Sequence, residues 1–382
     1  QRHAFGFGTA VTVNRIIGAG RNDTYRDKLT NVTGDGRSFN LTVFGNAFKW
    51  EPWESQWPVS TTLKTAAVAY LQSQGLDVRG HTLLWGSMSQ GVPADVETST
   101  DPIFVRDRIQ SHIRSLAGRT GIKGLVREWD VLNEPVHETK YADLFKGAPD
   151  YPTGEEIYAQ AFEWAAEADP EARLYINDYN IIANYNTGWQ AGTRRRYREI
   201  IQGLVDAGAP LDGIGFQGHM SPTSATSPEN AYRVLEEYAA FGKALAVTEY
   251  DYASSGNNSQ TCVKADEQAA ADYLRDFLTV VFSHPQSESF TMWGFWDGDH
   301  WRCDAVMFRE DWSLKPSGQA FLDLVFDQWW TDTTATTNGD GEVFVRGFLG
   351  EYELTADVAG GPVSRTLDLS STDTTRVVLS RS

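Results

Sequence analysis

The feature that most constrains this chain is a rhythm in its apolar residues. Eight short strand-like runs, AFGFGTAV, SFNLTVFG, LDVRGHTLLW, VREWDVLNEP, RLYINDYN, DGIGFQGHM, ALAVTEYD and SFTMWGFWD, are separated by roughly 15–30 residues with helical spacing. Leu63, Ala66, Ala67, Tyr70 and Leu71 form one such helical stripe, and Tyr232, Leu235, Tyr238 and Ala239 another. Gly75 and Gly242 stand where those helices should stop. Strands separated by helices must all run the same way, and eight such units close into a (β/α)8 TIM barrel. Each run turns polar or aromatic at its C-terminal end, at His81, Trp85, Asn133–Glu134, Asn177–Asp178, Gln217, His219, Glu249, Asp251 and Trp293. A barrel collects those ends on one face, so residues more than 100 positions apart are expected to share a cleft.

The rhythm stops after Trp329–Trp330. A polar, turn-rich linker, TDTTATTNGDG, leads into EVFVRGFLGEYELTADV, SRTLDLS and TRVVLSR, which alternate at strand period. The chain is therefore expected to be α/β, with a barrel over residues 1–330 and a small all-β, sandwich-like domain over 331–382. Phe344, Phe348 and Tyr352 alternate as core residues of that second piece would, and its lack of Trp favours a structural appendage over a sugar-binding module.

Composition narrows the function. A net charge of −18 argues against nucleic acid and anionic membranes, because phosphate recognition needs a basic surface. No apolar run is long enough to span a bilayer. The chain begins at Gln1 without a basic or apolar leader, which reads as a processed secreted form or as a trimmed piece. In a secreted setting the two cysteines, Cys262 and Cys303, are expected to form a disulfide. Neither HExxH spacing nor a Cys/His cluster suggests a metal, and no glycine-rich phosphate loop follows a strand, so no cofactor is expected.

Two strand-end carboxylates dominate the chemistry. Glu134 closes EWDVLNE and Glu249 sits in LAVTEYD. One carboxylic acid that protonates a leaving oxygen and one carboxylate that attacks an anomeric carbon are what cleavage of a glycosidic bond requires. Asn133 is placed to bind a sugar 2-hydroxyl, while His219 and Asp251 form a relay that orients Glu249 and keeps it ionised. Trp85, Trp293 and Trp301 suit sugar platforms, since a pyranose offers C–H groups to an aromatic face. Trp164 reads as core, and Asn177 to Asn180 as scaffold and cleft lining.

In order, GTAV, NAFKW, RGHTLLW, WDVLNEP, NDYN, GIGFQGH, TEYD and WGFWDGDHW resemble the motifs of family 10 glycoside hydrolases, mostly endo-β-1,4-xylanases, across about residues 5–330. The resemblance implies retaining hydrolysis with Glu134 as acid/base and Glu249 as nucleophile. It also implies supporting roles for Asn133, Gln217, His219 and Asp251, and sugar contacts from Asn46, Lys49, His81, Trp85, Trp293 and Trp301. The partner it implies is xylan or xylo-oligosaccharide, met by a monomer outside the cell. Two positions depart from the family pattern. Gly45 replaces a Glu ahead of Asn46, and Met88 replaces a Gln beyond Trp85, so the −2 sugar site is expected to be weakened or rebuilt. Two other readings stand beside this one: a retaining β-1,4-glucanase, with Gly45 and Met88 making room for a C6 hydroxymethyl, and an inactive sugar-binding barrel.

Overall fold

The computed structural model describes residues 2–87, 91–184, 188–253 and 266–380. Each apolar run becomes a strand: β1 (Gly6–Val11), β2 (Leu41–Phe44), β3 (Asp77–Trp85), β4 (Glu128–Asn133), β5 (Arg173–Asp178), β6 (Gly213–Phe216), β7 (Ala244–Tyr252) and β8 (Ser287–Met292). All pair in parallel with their sequence neighbours. The sheet closes where Phe290 of β8 stands opposite Phe7 of β1 on one side and Val247 of β7 on the other. Closure removes both edges, and helices cover the outside, so most strand residues are buried on both faces.

Eight of the helices are α1 (Asp23–Thr30), α2 (Thr61–Ser73), α3 (Pro102–Ala117), α4 (Glu156–Ala168), α5 (Gly188–Asp206), α6 (Pro228–Ala239), α7 (Glu267–Ser283) and α8 (Pro316–Asp323). In α2 the fully buried ridge is Lys64, Ala67, Val68 and Leu71, one residue round from the expected stripe. Lys64 lies on the core side because its ammonium donates to the Pro52 carbonyl at 2.6 Å, which a hydropathy pattern does not reveal. Gly75 ends this helix at φ 75°, and the Leu76 amide closes back on the Leu71 carbonyl at 3.0 Å. Gly242, at φ 66°, serves α6 in the same way. Trp164 sits in the core. No helix among the described residues is long and apolar enough to cross a membrane.

One cluster inside the barrel is charged. Arg79, 1% exposed, donates to Glu128 at 2.6 Å and to Asp130 at 3.1 Å. A buried guanidinium persists only when its donors are met, and here the neighbouring strand β4 supplies both carboxylates.

The C-terminal piece is a small all-β unit, as expected, though not every expected strand forms. Among the described residues it forms a single three-stranded antiparallel sheet, in which β9 (Gly350–Val358) pairs with β10 (Gly361–Leu369) and with residues 2–3 of the N-terminus. Residues 342–348 and 375–380, expected as strands, join no ladder, because alternation specifies a face but not a partner. Phe344 is correspondingly 77% exposed and is not a core residue. The sheet meets the barrel through Ala4, whose amide donates to Leu349, and through Phe348 against Phe282. His3 anchors the same corner, with its ring 2.9 Å from the Val325 carbonyl and edge-on to Trp330.

Cutting the chain after Trp330 strips the partner from residues 2–3 and exposes Phe282. With each lost hydrogen bond worth about 1 kcal/mol, calorimetry is expected to find Tm lower by about 5 °C. An unchanged Tm would mean that the sheet carries no load.

Candidate active site

Register assembles the site. Trp85 pairs with Asn133, and Asn133 pairs with Asn177, so the ends of β3, β4 and β5 are level. Glu134 follows directly and takes the left-handed conformation at φ 57°, costly for a residue with a side chain. Hydrogen bonds pin it there. Its amide donates to the Asn177 carbonyl at 2.7 Å, and its own carbonyl accepts from the Glu138 amide at 2.7 Å. Asp178, at the end of β5, holds the turn by accepting from the Val136 amide at 2.9 Å and binding His137 Nδ1 at 2.7 Å.

The turn aims the Glu134 carboxyl at two donors. Gln217 Nε2 donates to Oε1 and Trp85 Nε1 to Oε2, both at 2.8 Å. Burial pushes the Glu134 pKa up to about 7, and the nearby charge of Glu249 adds to the rise against the two donors. Near neutrality this carboxyl is therefore poised to give up a proton and take one back.

Glu249, on β7, is 4% exposed. Its Oε1 accepts from Asn177 Nδ2 at 2.8 Å, and its Oε2 lies 3.3 Å from His219 Nε2. On the other side of that ring, Nδ1 is 3.0 Å from Asp251 Oδ2. Burial opposes charge on the imidazole, yet the carboxylates of Asp251 and Glu249 push His219 up to about 9. A charged imidazolium and an amide donor thus both meet the Glu249 carboxyl.

The remaining residues singled out in the sequence join this network by contact. His81 Nδ1 is 2.9 Å from Asp130, and its ring stands edge-on to Trp293 at 5.1 Å. Trp293 also faces His219, and Trp301 packs against His219 at 5.0 Å. Lys49 lies over the Trp85 ring at 4.7 Å and donates to Asn46 at 2.8 Å. Burial lowers the Lys49 pKa, opposed by the charges of Glu249 and Glu134. Asn133 Oδ1 accepts from Asn177 Nδ2 at 3.0 Å. The twelve residues thus form one patch joined by direct contacts, most of them running through Trp293, His219 and Asn177.

Three roles differ from the sequence reading. Asn177, expected as scaffold and cleft lining, bonds Asn133 and Glu249 directly through its amide, while its oxygen accepts from Thr248 at 2.7 Å. Trp85 spends its indole N–H on Glu134 and has Lys49 over one face, so it orients the carboxyl as well as lining the cleft. Asp130, which sequence reasoning missed, links Arg79 to His81; its only signal was an acidic residue inside an otherwise apolar strand. Of the two departures, a side chain at Gly45 would have Trp293 as its nearest neighbour, at 3.9 Å. Met88 and Cys262 lie outside the described residues. No group of His, Cys, Asp and Glu among the described residues is arranged to hold a metal.

The family model described as Glycosyl hydrolase family 10 matches residues 2–324. The chain is 32% identical to the anti-sigma-I factor RsgI6 of Acetivibrio thermocellus over 96% of its own length, and spans 43% of that protein. It is 30% identical to endo-1,4-beta-xylanase 3 of Hypocrea jecorina, over 73% of this chain and 74% of the other. Among solved structures, a GH10 xylanase of Thermobacillus composti superposes with a TM-score of 0.66 at 25% identity, covering 83% of this chain and 95% of that one. Xylanase 10B of Thermotoga petrophila, solved with xylobiose, gives 0.67 at 24% identity, covering 85% and 95%.

A raised pKa at Glu134 has a consequence for stability. The folded chain keeps a proton that the unfolded chain releases between pH 4.5 and about 7, so this group's contribution falls as pH rises through that window. Glu134→Gln removes the effect. The variant is expected to gain Tm relative to the parent from pH 4.5 upward, levelling off above pH 7; a difference independent of pH would contradict the shift.

Proposed function

Since the chain belongs to glycosyl hydrolase family 10, we propose that it is an endo-β-1,4-xylanase that cleaves xylan with retention, using Glu134 as acid/base and Glu249 as nucleophile. The observation that carries this reading is the convergence of two buried carboxyls on separate sets of donors. Burial raises the Glu134 pKa to about 7 against Gln217 and Trp85, while Glu249 accepts from Asn177 and lies 3.3 Å from His219. In the first step Glu249 attacks the anomeric carbon as Glu134 protonates the departing oxygen, giving a glycosyl ester. In the second, Glu134, now a carboxylate, takes a proton from water, and the ester is displaced from the opposite face. Two inversions at one carbon amount to retention.

Asn133, Gln217, His219 and Asp251 support the two carboxyls in this reading, while Asn46, Lys49, His81, Trp85, Trp293 and Trp301 hold sugar. Gly45 leaves the −2 position without the acidic group the family usually places there, a loss of about 1 kcal/mol per sugar hydrogen bond. A second reading within the same chemistry, a β-1,4-glucanase whose substrate carries a C6 hydroxymethyl, rests on the missing side chain at Gly45, where an added Cβ would stand 3.9 Å from Trp293. The presence of both carboxyls weighs against a third reading, a barrel that binds carbohydrate without turning it over. A polymeric substrate too large to enter a cell is consistent with action outside it by a monomer, where a Cys262–Cys303 bridge would persist.

NMR of early xylan products is expected to reveal β-configured reducing ends, and a lower rate on carboxymethyl cellulose separates xylanase from glucanase. Glu134→Gln and Glu249→Gln are each expected to lower turnover on xylan by about 1,000-fold or more, leaving binding largely intact. Unchanged rates in both would end the assignment. The alkaline limb of kcat/KM is expected near pH 7, because Glu134 must hold its proton to act as an acid. Gln217→Met removes a donor that favours the anion, and should move that limb upward.

A further inference from the structure

Asp251 is fully buried, and one of its oxygens has to face His219 for the relay to Glu249 to exist. A carboxylate turns freely about its last bond unless both oxygens are held. Here both are, and the loop after β8 supplies the hands. Trp301 Nε1 donates to Oδ2 at 2.9 Å, the oxygen that also faces His219. Arg302 Nη1 donates to Oδ1 at 3.0 Å and to the Met220 carbonyl at 3.2 Å, tying Asp251 to the backbone just past His219. The Arg302 guanidinium also lies over the Trp301 ring at 4.4 Å. His300 completes the group, with Nδ1 2.7 Å from the Arg302 carbonyl and Nε2 3.8 Å from Asp251 Oδ2.

We infer that Arg302 is a positioning residue for nucleophilic attack, acting through Asp251 and His219 on Glu249. By fixing Oδ1 it leaves Oδ2 to His219, and the imidazole then presents Nε2 to the carboxylate of Glu249. The chemistry of the side chain fits: a guanidinium is planar, permanently charged, and able to bond a carboxylate and a carbonyl while its face stacks on an indole. The charges nearest Asp251 are His219, His300 and Arg302, and against its burial His219 and Arg302 hold its carboxyl below the usual range. Trp301 acquires a second role, because the N–H on its edge fixes the relay that its ring packs against.

The inference rests on the reading of Glu249 as nucleophile, and one reagent separates the two. A 2-deoxy-2-fluoro-β-xylobiosyl fluoride loses fluoride when a carboxylate attacks its anomeric carbon, leaving a stable sugar ester and needing no proton from Glu134. Arg302→Met is expected to slow labelling of Glu249 by about 100-fold, the usual cost of misplacing a reacting group by about 1 Å, with xylobiose inhibition unchanged. Arg302→Lys, which keeps the charge, should lose less, about tenfold. Trp301→Phe, which keeps a ring but not the N–H, should also slow labelling. Labelling of folded Arg302→Met at the parental rate would overturn the inference while leaving Glu249 as the nucleophile. Should Arg302→Met not fold, parental labelling of Arg302→Lys has the same force. A parent chain not labelled at Glu249 would overturn the nucleophile and this inference together.

Discussion

Two carboxyl groups share one water-poor pocket, and they cannot both be charged without cost. The rest of the site can be understood as the means by which that conflict is divided. Burial raises the Glu134 pKa to about 7, while Glu249, 4% exposed, meets the Asn177 amide and a His219 kept charged by Asp251. Neither carboxyl sets its own state. Each is held by donors from other strands, Gln217 and Trp85 for one and Asn177 and His219 for the other, and at Glu134 burial outweighs them.

Such a division requires accurate placement, and the closed sheet supplies it. Side chains on strands of a barrel have little freedom, so the matched register of Trp85, Asn133 and Asn177 fixes three of the groups at one level. The buried Arg79–Glu128–Asp130 cluster extends that rigidity upward, since Asp130 bonds both Arg79 and the His81 ring. Glu134 is the exception, a residue in a strained backbone conformation beyond the end of its strand. Its turn is held by Asp178 from the next strand as well as by the Glu138 amide of its own segment.

Loops contribute what strands cannot. The segment after β8 carries Trp301 and Arg302 to Asp251, and Lys315 at its far end reaches Asp297 and Asp304, both at 2.6 Å. At the other end of the chain, the C-terminal sheet is completed by residues 2–3, so the two termini are held together.

The fold class, the eight strands and the convergence of their ends were legible in the residues because period and strand-end polarity are local properties. Glu134 and Glu249 could be singled out for the same reason: each is a carboxyl at the end of a buried strand. The sequence alone did not determine which atoms meet. Asn177 passed for scaffold, Asp130 for an oddity in an apolar strand, and Phe344 for core, because a hydrogen bond or a burial partner depends on residues far away in the chain. The C-terminal strands were over-read on the same ground, since alternation gives a face and only tertiary structure gives the neighbour. What the tertiary structure decided, then, was pairing and burial: which donor serves which carboxyl, and how far burial outweighs those donors at Glu134.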